Sequence, residues 1–359
     1  MTLEFDRRRF VGLLGLAAAA QSLPIAPRPA RAAERITVLN WQGYGTDEKW
    51  AVAEFTQKTG IEVAHDYFSS EPEMITKLRT NPGAYDVVLC NSARVSQVQA
   101  EKLLSPIEFS RIPNSSGLAP KLRDNPSLIL GGNTYGVAWV WGMTALAART
   151  GKGPQPDSWK ALSDPAFKGR AALADDSTAM IGVGALLTGQ DINAPKDFDA
   201  IKAALRAMKP NVKLLWSSED QWNKAFTANE FDVAPYWSGG AVRSIRRYKL
   251  PLAYIVPKEG AIGWLDALTV PASSTKKESA LKFINYMIDP GFYVQWVEKA
   301  GAPAAAYAAA MDRLPADDLN RVIYKAEYLP MLQFQAPLSD DLRQKIADLW
   351  EETKAFYAS

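Results

Sequence analysis

The chain has 359 residues, with 41 Lys and Arg against 39 Asp and Glu, one His, one Cys and 11 Trp. A lone cysteine, Cys90, excludes an intrachain disulfide, and one His with one Cys leaves little for the nucleophilic and metal-dependent catalysis those side chains usually carry. The Trp content favours binding, because an indole face attracts an organic cation by roughly 0.5 to 2 kcal/mol depending on how dry the site is, although Trp is equally a core residue through the apolar area it buries.

Residues 1–33 predict an export signal: Asp6-Arg7-Arg8-Arg9-Phe10-Val11, an apolar stretch from Val11 to Ala20, then Ala30-Arg31-Ala32 as a small-residue cleavage site near residue 32 or 33. The apolar stretch is shorter than the about 20 residues that span a bilayer, and no later stretch is apolar enough to do so. Paired Arg before Phe resembles a twin-arginine signal; a Sec signal with an Arg-rich start is the alternative, and both carry the product out of the cytoplasm. Cys90 lies too far along the chain to be a lipidated residue. Cleavage removes five of the basic and two of the acidic side chains, leaving a net charge of about −1, without the basic excess that a nucleic-acid surface shows. The remaining length suggests two α/β domains.

Arg35 to Asn40 alternates as a strand, and Asp47 to Thr59 reads as a helix with Trp50, Ala53 and Phe55 inward and Gly60 as its stop. A strand over 61–66 and a helix near 72–80 lead to Tyr85-Asp86-Val87-Val88-Leu89, the nearly continuous apolar run of a buried parallel strand. In such βαβ units ligand loops lie at the carboxyl ends of strands, where Trp41, Tyr44 and Asn91 fall. Phe198, Ile201, Leu205 and Met208 form a helical stripe ended by Pro210, and a strand over 231–236 feeds a Trp237-Ser238-Gly239-Gly240 loop. Ala280, Leu281, Ile284, Met287 and Ile288 predict a helix ended by Pro290; Leu342, Ile346, Leu349 and Phe356 predict another after an N-cap at Ser339. His65 has no second His with which to chelate a metal and reads as a structural or surface residue. Adjacent acids such as Asp175-Asp176 point apart, and the basic run from Arg243 to Arg247 reads as a solvent-facing helix or a docking face for a membrane partner.

Taken in order, Leu39-Asn40-Trp41-Gln42-Gly43-Tyr44, Gly83-Ala84-Tyr85-Asp86-Val87-Val88, Ala174-Asp175-Asp176, Val256-Pro257-Lys258-Glu259-Gly260 and the run from Trp264 to Pro271 carry a resemblance. Over nearly all of residues 35–357 the chain resembles the bacterial periplasmic spermidine/putrescine-binding proteins, the solute receptors of polyamine ABC importers. The resemblance implies an α/β fold of the two-lobe periplasmic binding protein type (type II), with residues 34–141 and 265–309 in the first lobe, 142–264 and 310–359 in the second, and the ligand cleft between them. It implies a monomer that hands a small amine to permease subunits in the inner membrane, with no cofactor and no catalysis. Matched position by position, Trp41, Tyr44, Asn91 and Ser92 are first-lobe contacts, Asp176 an acidic contact, Trp237 a stacking ring, Trp264 and Asp266 the ring and carboxylate that clamp an ammonium, and Gln335 a contact from the C-terminal segment.

Three positions depart from that pattern: Ala93, Ala179 and Ala302 stand where relatives place a tyrosine, an acid and another tyrosine, which shifts expectation toward a smaller or less charged amine. Arg94, beside Ala93, is expected either on the solvated surface or in the cleft holding a carboxylate bidentately, which would select a zwitterion such as γ-aminobutyrate or an opine-like compound. Sugars also stack on Trp and remain a rival ligand. A ferric site would call for adjacent tyrosines, and no Tyr-Tyr pair occurs. From another class comes an exported hydrolase with Asp176 and Asp266 as acid and base.

Overall fold

The structure, a computed structural model, describes residues 34–152 and 155–359. The export signal expected over residues 1–33, with its arginine pair and cleavage position, lies outside the described residues. Strands β1 (Arg35–Asn40), β2 (Glu62–Tyr67) and β3 (Val87–Asn91) alternate with helices α1 (Lys49–Thr59), α2 (Glu71–Thr80) and α3 (Ser92–Ala100). Both pairings of β1, with β2 and with β3, are parallel, as the two βαβ crossovers require. The short helix α4 (Pro120–Arg123) and the hairpin β4 (Ile129–Leu130) and β5 (Asn133–Thr134) then lead into β6 (Val137–Arg149).

The chain continues through β7 (Ala171–Ala174), α5 (Ser177–Leu187), α6 (Phe198–Arg206), β8 (Val212–Trp216), α7 (Glu219–Thr227), β9 (Val233–Trp237), α8 (Ser238–Tyr248), β10 (Leu252–Ile255) and β11 (Ala261–Thr269). It closes with α9 (Lys277–Met287), α10 (Pro290–Lys299), β12 (Ala304–Ala305), α11 (Leu319–Ile323), β13 (Leu332–Phe334) and α12 (Asp340–Ala358). Among the described residues the main sheet runs β2-β1-β3-β11-β6-β9-β7-β8, with β10 and β12 on β6 and β13 on β11. The two parallel groups, β2-β1-β3 and β9-β7-β8, therefore stand at opposite ends, joined only through the antiparallel pair β11 and β6. This is the two-lobe α/β architecture. A strand of 13 residues, at about 3.3 Å per residue, is long enough for β6 to serve both groups.

Helix packing follows the same division. Phe55 of α1 meets Phe283 of α9 edge to face, and Trp50 stacks on Phe292 of α10, while α12 packs on α5 and α6. Two local expectations fail, and a third, that Pro290 ends the 280–288 helix, holds with an addition. In α1 it is Ala51, not Ala53, that joins Phe55 in the core, and Ala53 is exposed. α9 ends before Pro290 as expected, and Pro290 also starts α10: Asp289 caps Gly291 N and Phe292 N, and a proline costs nothing at a first position whose N–H has no partner anyway. Residues 238–240, expected as a loop, are the first turn of α8, and Gly240 is required there because a Cβ would fall 2.7 Å from the Tyr236 ring.

Candidate functional site

The β1–α1 loop is built around Asn40, fully buried, whose Nδ2 donates to Tyr44 O (3.1 Å) and Thr46 Oγ1 (2.8 Å) while its Oδ1 accepts from Trp41 N (2.7 Å). These bonds turn the chain so that Trp41 and Tyr44 both face the space beyond the strand ends. Tyr44 stands edge-on to Trp139 and Trp296, which stack on each other 5.2 Å apart. That aromatic seat fixes its hydroxyl, which donates to Asp266 Oδ2 at 2.9 Å.

Asp266 sits on β11 opposite Asn91 of β3. Asn91 Nδ2 donates to Asp266 Oδ1 (3.0 Å), and its own Oδ1 caps α3 by accepting from Ala93 N (3.0 Å), so the amide is oriented by both contacts. Beside β6 the β11 register slips between Asp266 and Ala267, leaving Trp139 without an opposite residue; such irregularities re-aim side chains. Asp266 is 8% exposed. Burial pushes its carboxyl up to about 7, the Glu71 charge adds to the rise, and the Tyr44 and Asn91 hydrogen bonds oppose it. Tyr44 is in turn held well above its ordinary value, mainly by burial and then by the Asp266 charge.

Around this carboxylate lies an inner cavity of about 440 Å³, with an adjoining outer cavity of about 470 Å³. The two share Trp41, Glu71, Asn91, Asp176, Trp237 and Gln335 as walls and form one cleft. Trp264 lines the inner part, and only glycine is possible opposite it: a Cβ on Gly142 would lie 2.1 Å from the Trp264 ring. Trp237 ends β9 and stands edge-on to the buried Trp216. Asp176 caps α5 by accepting from Ala179 N (3.0 Å) and is exposed to the cleft, while Gln335 is tied by its N–H to Gly263 O (2.8 Å).

Eight of the ten expected side chains thus meet around the inner cavity or on its walls: Trp41, Tyr44, Asn91, Asp176, Trp237, Trp264, Asp266 and Gln335. Ser92 does not line the cleft; it is fully buried in the first turn of α3 and its Oγ has no partner among the described residues. Arg94 lines the outer cavity, but its Nε donates to Glu71 Oε2 at 2.6 Å, which removes one edge of the fork that a bidentate carboxylate clamp would use. Of the three departures, Ala179 lines the inner cavity and Ala93 the outer one, whereas Ala302 is buried and lines neither.

Three charged residues of the cleft are not evident from the sequence pattern: Arg343 on the outer cavity, and Glu71 and Arg243. Glu71, first residue of α2, follows the carboxyl end of β2, and the rule that selected Trp41 and Asn91 would have selected it had it been applied to β2. Arg243 lies one helical turn after Gly239 and so shares its face of α8. It is therefore a cleft residue and not part of a solvent-facing basic run, and Arg246 is likewise engaged, with Asp318 and Val297 O. Among the described residues no cluster of three His, Cys, Asp or Glu side chains is placed to hold a metal, and no helix is long and apolar enough to cross a membrane.

A family model for bacterial extracellular solute-binding proteins matches residues 50–320. The spermidine/putrescine-binding periplasmic protein of Escherichia coli (strain K12) is 30% identical over 300 residues, 82% of this chain and 84% of that protein. Spermidine/putrescine-binding periplasmic protein 1 of Haemophilus influenzae is 33% identical over 270 residues, 73% of each chain. In structure, a spermidine/putrescine ABC transporter substrate-binding protein of Streptococcus pneumoniae superimposes with a TM-score of 0.82 at 22% identity, over 90% of this chain and 99% of that one, and shares the fold. Two lobes joined by β6 and β11, a carboxylate seated among tryptophans where the joining strands pass the cleft, and these relatives agree: the chain belongs to the bacterial extracellular solute-binding proteins, in their polyamine-binding family.

Proposed function

We propose that this protein is the non-enzymatic receptor of an ABC importer, capturing a small aliphatic amine of the polyamine class and delivering it to a membrane permease. The observation that carries this reading is the Asp266 carboxylate, held by Tyr44 and Asn91 and walled by Trp41, Trp237 and Trp264. A buried ammonium needs acceptors and opposite charge to offset its desolvation, and indole faces suit both its charge and its methylene chain. The protein acts in the periplasm as a monomer, exported by the signal over residues 1–33. The relatives' names support the periplasmic and amine-binding parts of this reading.

Capacity for charge in the cleft favours an amine with few ammonium groups. Glu71 is engaged by Arg94 and Ala179 replaces an acid, leaving Asp266 and Asp176 as the carboxylates without a cationic partner among the described residues. A hydrolase using Asp176 and Asp266 is disfavoured because one carboxylate caps a helix and the other is bound on both oxygens. Calorimetry with putrescine and spermidine tests the proposal. Asp266→Asn is expected to weaken the bound amine by about a hundredfold or more, the scale of leaving a buried charge unpaired. Unchanged affinity would remove Asp266 from the site, and turnover of a glycoside panel would replace the receptor by an enzyme.

A further inference from the structure

The inner cavity has a cation in its wall as well as a carboxylate. Arg243 extends from the second turn of α8 into the cavity that also holds Asp266, and its side chain is 30% exposed there. Its Nε donates to Glu219 Oε1 (2.9 Å) and its Nη2 to Glu219 Oε2 (2.5 Å), a bidentate pair that fixes the guanidinium plane. The third nitrogen, Nη1, has no acceptor among the described residues. Gly239 and Gly240 form the adjacent wall, and a Cβ on Gly239 would come to 3.3 Å from Nη1, so the glycine keeps that nitrogen open.

Asp266 and Arg243 line the same inner cavity of about 440 Å³, so one small molecule held there meets both charges. A ligand whose ammonium is clamped by Asp266 has its other end in a cavity whose wall carries the Arg243 guanidinium, a donor that repels a second ammonium. An acceptor oxygen there would satisfy Nη1 with a charge-assisted hydrogen bond.

We infer that Arg243 is a specificity-determining residue of the cleft, and that the ligand is an amine whose other end carries an oxygen acceptor, most strongly a carboxylate. Asp266 takes the ammonium and Arg243 Nη1 the acceptor. This inference rests on the amine reading above and narrows it: the zwitterion selectivity expected from Arg94 is reassigned to Arg243, whose free nitrogen faces the inner cavity.

The test is calorimetry on the full mature protein near pH 8 with ω-amino carboxylates of increasing length, beginning with γ-aminobutyrate, alongside putrescine and n-butylamine. One member of the carboxylate series is expected to bind at least about tenfold tighter than both putrescine and n-butylamine, the scale of one charge-assisted hydrogen bond. In Arg243→Gln that preference should vanish, the best amino carboxylate then binding no more tightly than n-butylamine does to the same variant. Because Arg243→Gln strands Glu219, the double variant Arg243→Gln/Glu219→Gln is measured in parallel, and it must lose the preference too. Putrescine bound as tightly as any amino carboxylate, or a preference that survives both variants, overturns the inference and leaves the amine receptor standing. No binding by any of these amines overturns the amine reading itself.

Discussion

At the scale of single residues, Asp266 makes both binding and stability depend on pH, in opposite directions. Its carboxyl titrates near 7 in the ligand-free protein, raised chiefly by burial. Cation binding needs the ionised form, so affinity for an amine should fall by about tenfold per unit as pH drops below about 7, with proton release on binding. Calorimetry in buffers of different ionisation enthalpy checks this, and a flat profile would mean that Asp266 is already ionised or not in contact. Glu71→Gln removes a charge that raises Asp266, so the midpoint should move to lower pH. The stability effect has the other sign. Between the ordinary 3.8 and about 7 the folded protein keeps a proton that the unfolded chain has released, so stability falls as pH rises through that window. Asp266→Asn, which never ionises, should therefore make the ligand-free protein more stable above about pH 8, by roughly 2 to 4 kcal/mol, while it weakens binding. Denaturant unfolding at about pH 5 and pH 8 checks this, because the variant's gain should be clearly larger at the higher value.

At the scale of elements, the cleft depends on what strands bring opposite one another. Trp264 of β11 lies over Gly142 of β6, its cross-strand partner, with no room for a Cβ. Gly142→Val should displace the indole and weaken amine binding by about tenfold, the loss of one desolvated aromatic wall, and Trp264→Ala should then add little further loss. Full additivity of the two in a double-mutant cycle would show that Gly142 acts elsewhere. The element order was legible in the sequence because alternation and helical periodicity record burial directly, as in β1, β3 and the Ser339-capped α12. What escaped was set by tertiary partners. The strand-end rule that selects Trp41 applies equally to Trp216, which ends β8 and is core, so only tertiary packing separates the two. The inward face of α1 was misread at Ala53 because Ala51 and Ala53 differ in burial only through the packing around them. Glu71 and Arg243 were missed for a similar reason: a first-turn acid and an arginine in a basic run usually face water, and only the approach of α2 and α8 to one cavity makes them walls.

At the scale of the whole molecule, the cleft walls are divided between the two ends of one sheet. Trp41, Tyr44 and Asn91 belong to the β2-β1-β3 group, Asp176 and Trp237 to the β9-β7-β8 group, and Trp264 and Asp266 to β11, which with β6 joins them. A ligand held by all three sets gains contacts only in conformations that bring the two ends together, and it shifts the open–closed balance by that difference in affinity. Hinge closure of two lobes around a ligand is a recognised form of this transition in solute receptors. An amine that binds should therefore reduce the radius of gyration measured by small-angle X-ray scattering. It should also stabilise the fold by RT ln(1 + [L]/Kd), about 2.7 kcal/mol at a hundredfold excess over Kd. The two readouts distinguish the sources of binding. Trp237→Ala removes a wall from the far group and leaves the Asp266 cluster intact, so it should retain weak binding yet lose most of the compaction. Equal compaction in wild type and variant would mean that closure is driven by the joining strands alone, with the far group following passively. Stabilisation without any compaction would mean that the cleft is already closed before ligand arrives, in which case the ligand enters through local opening rather than lobe motion.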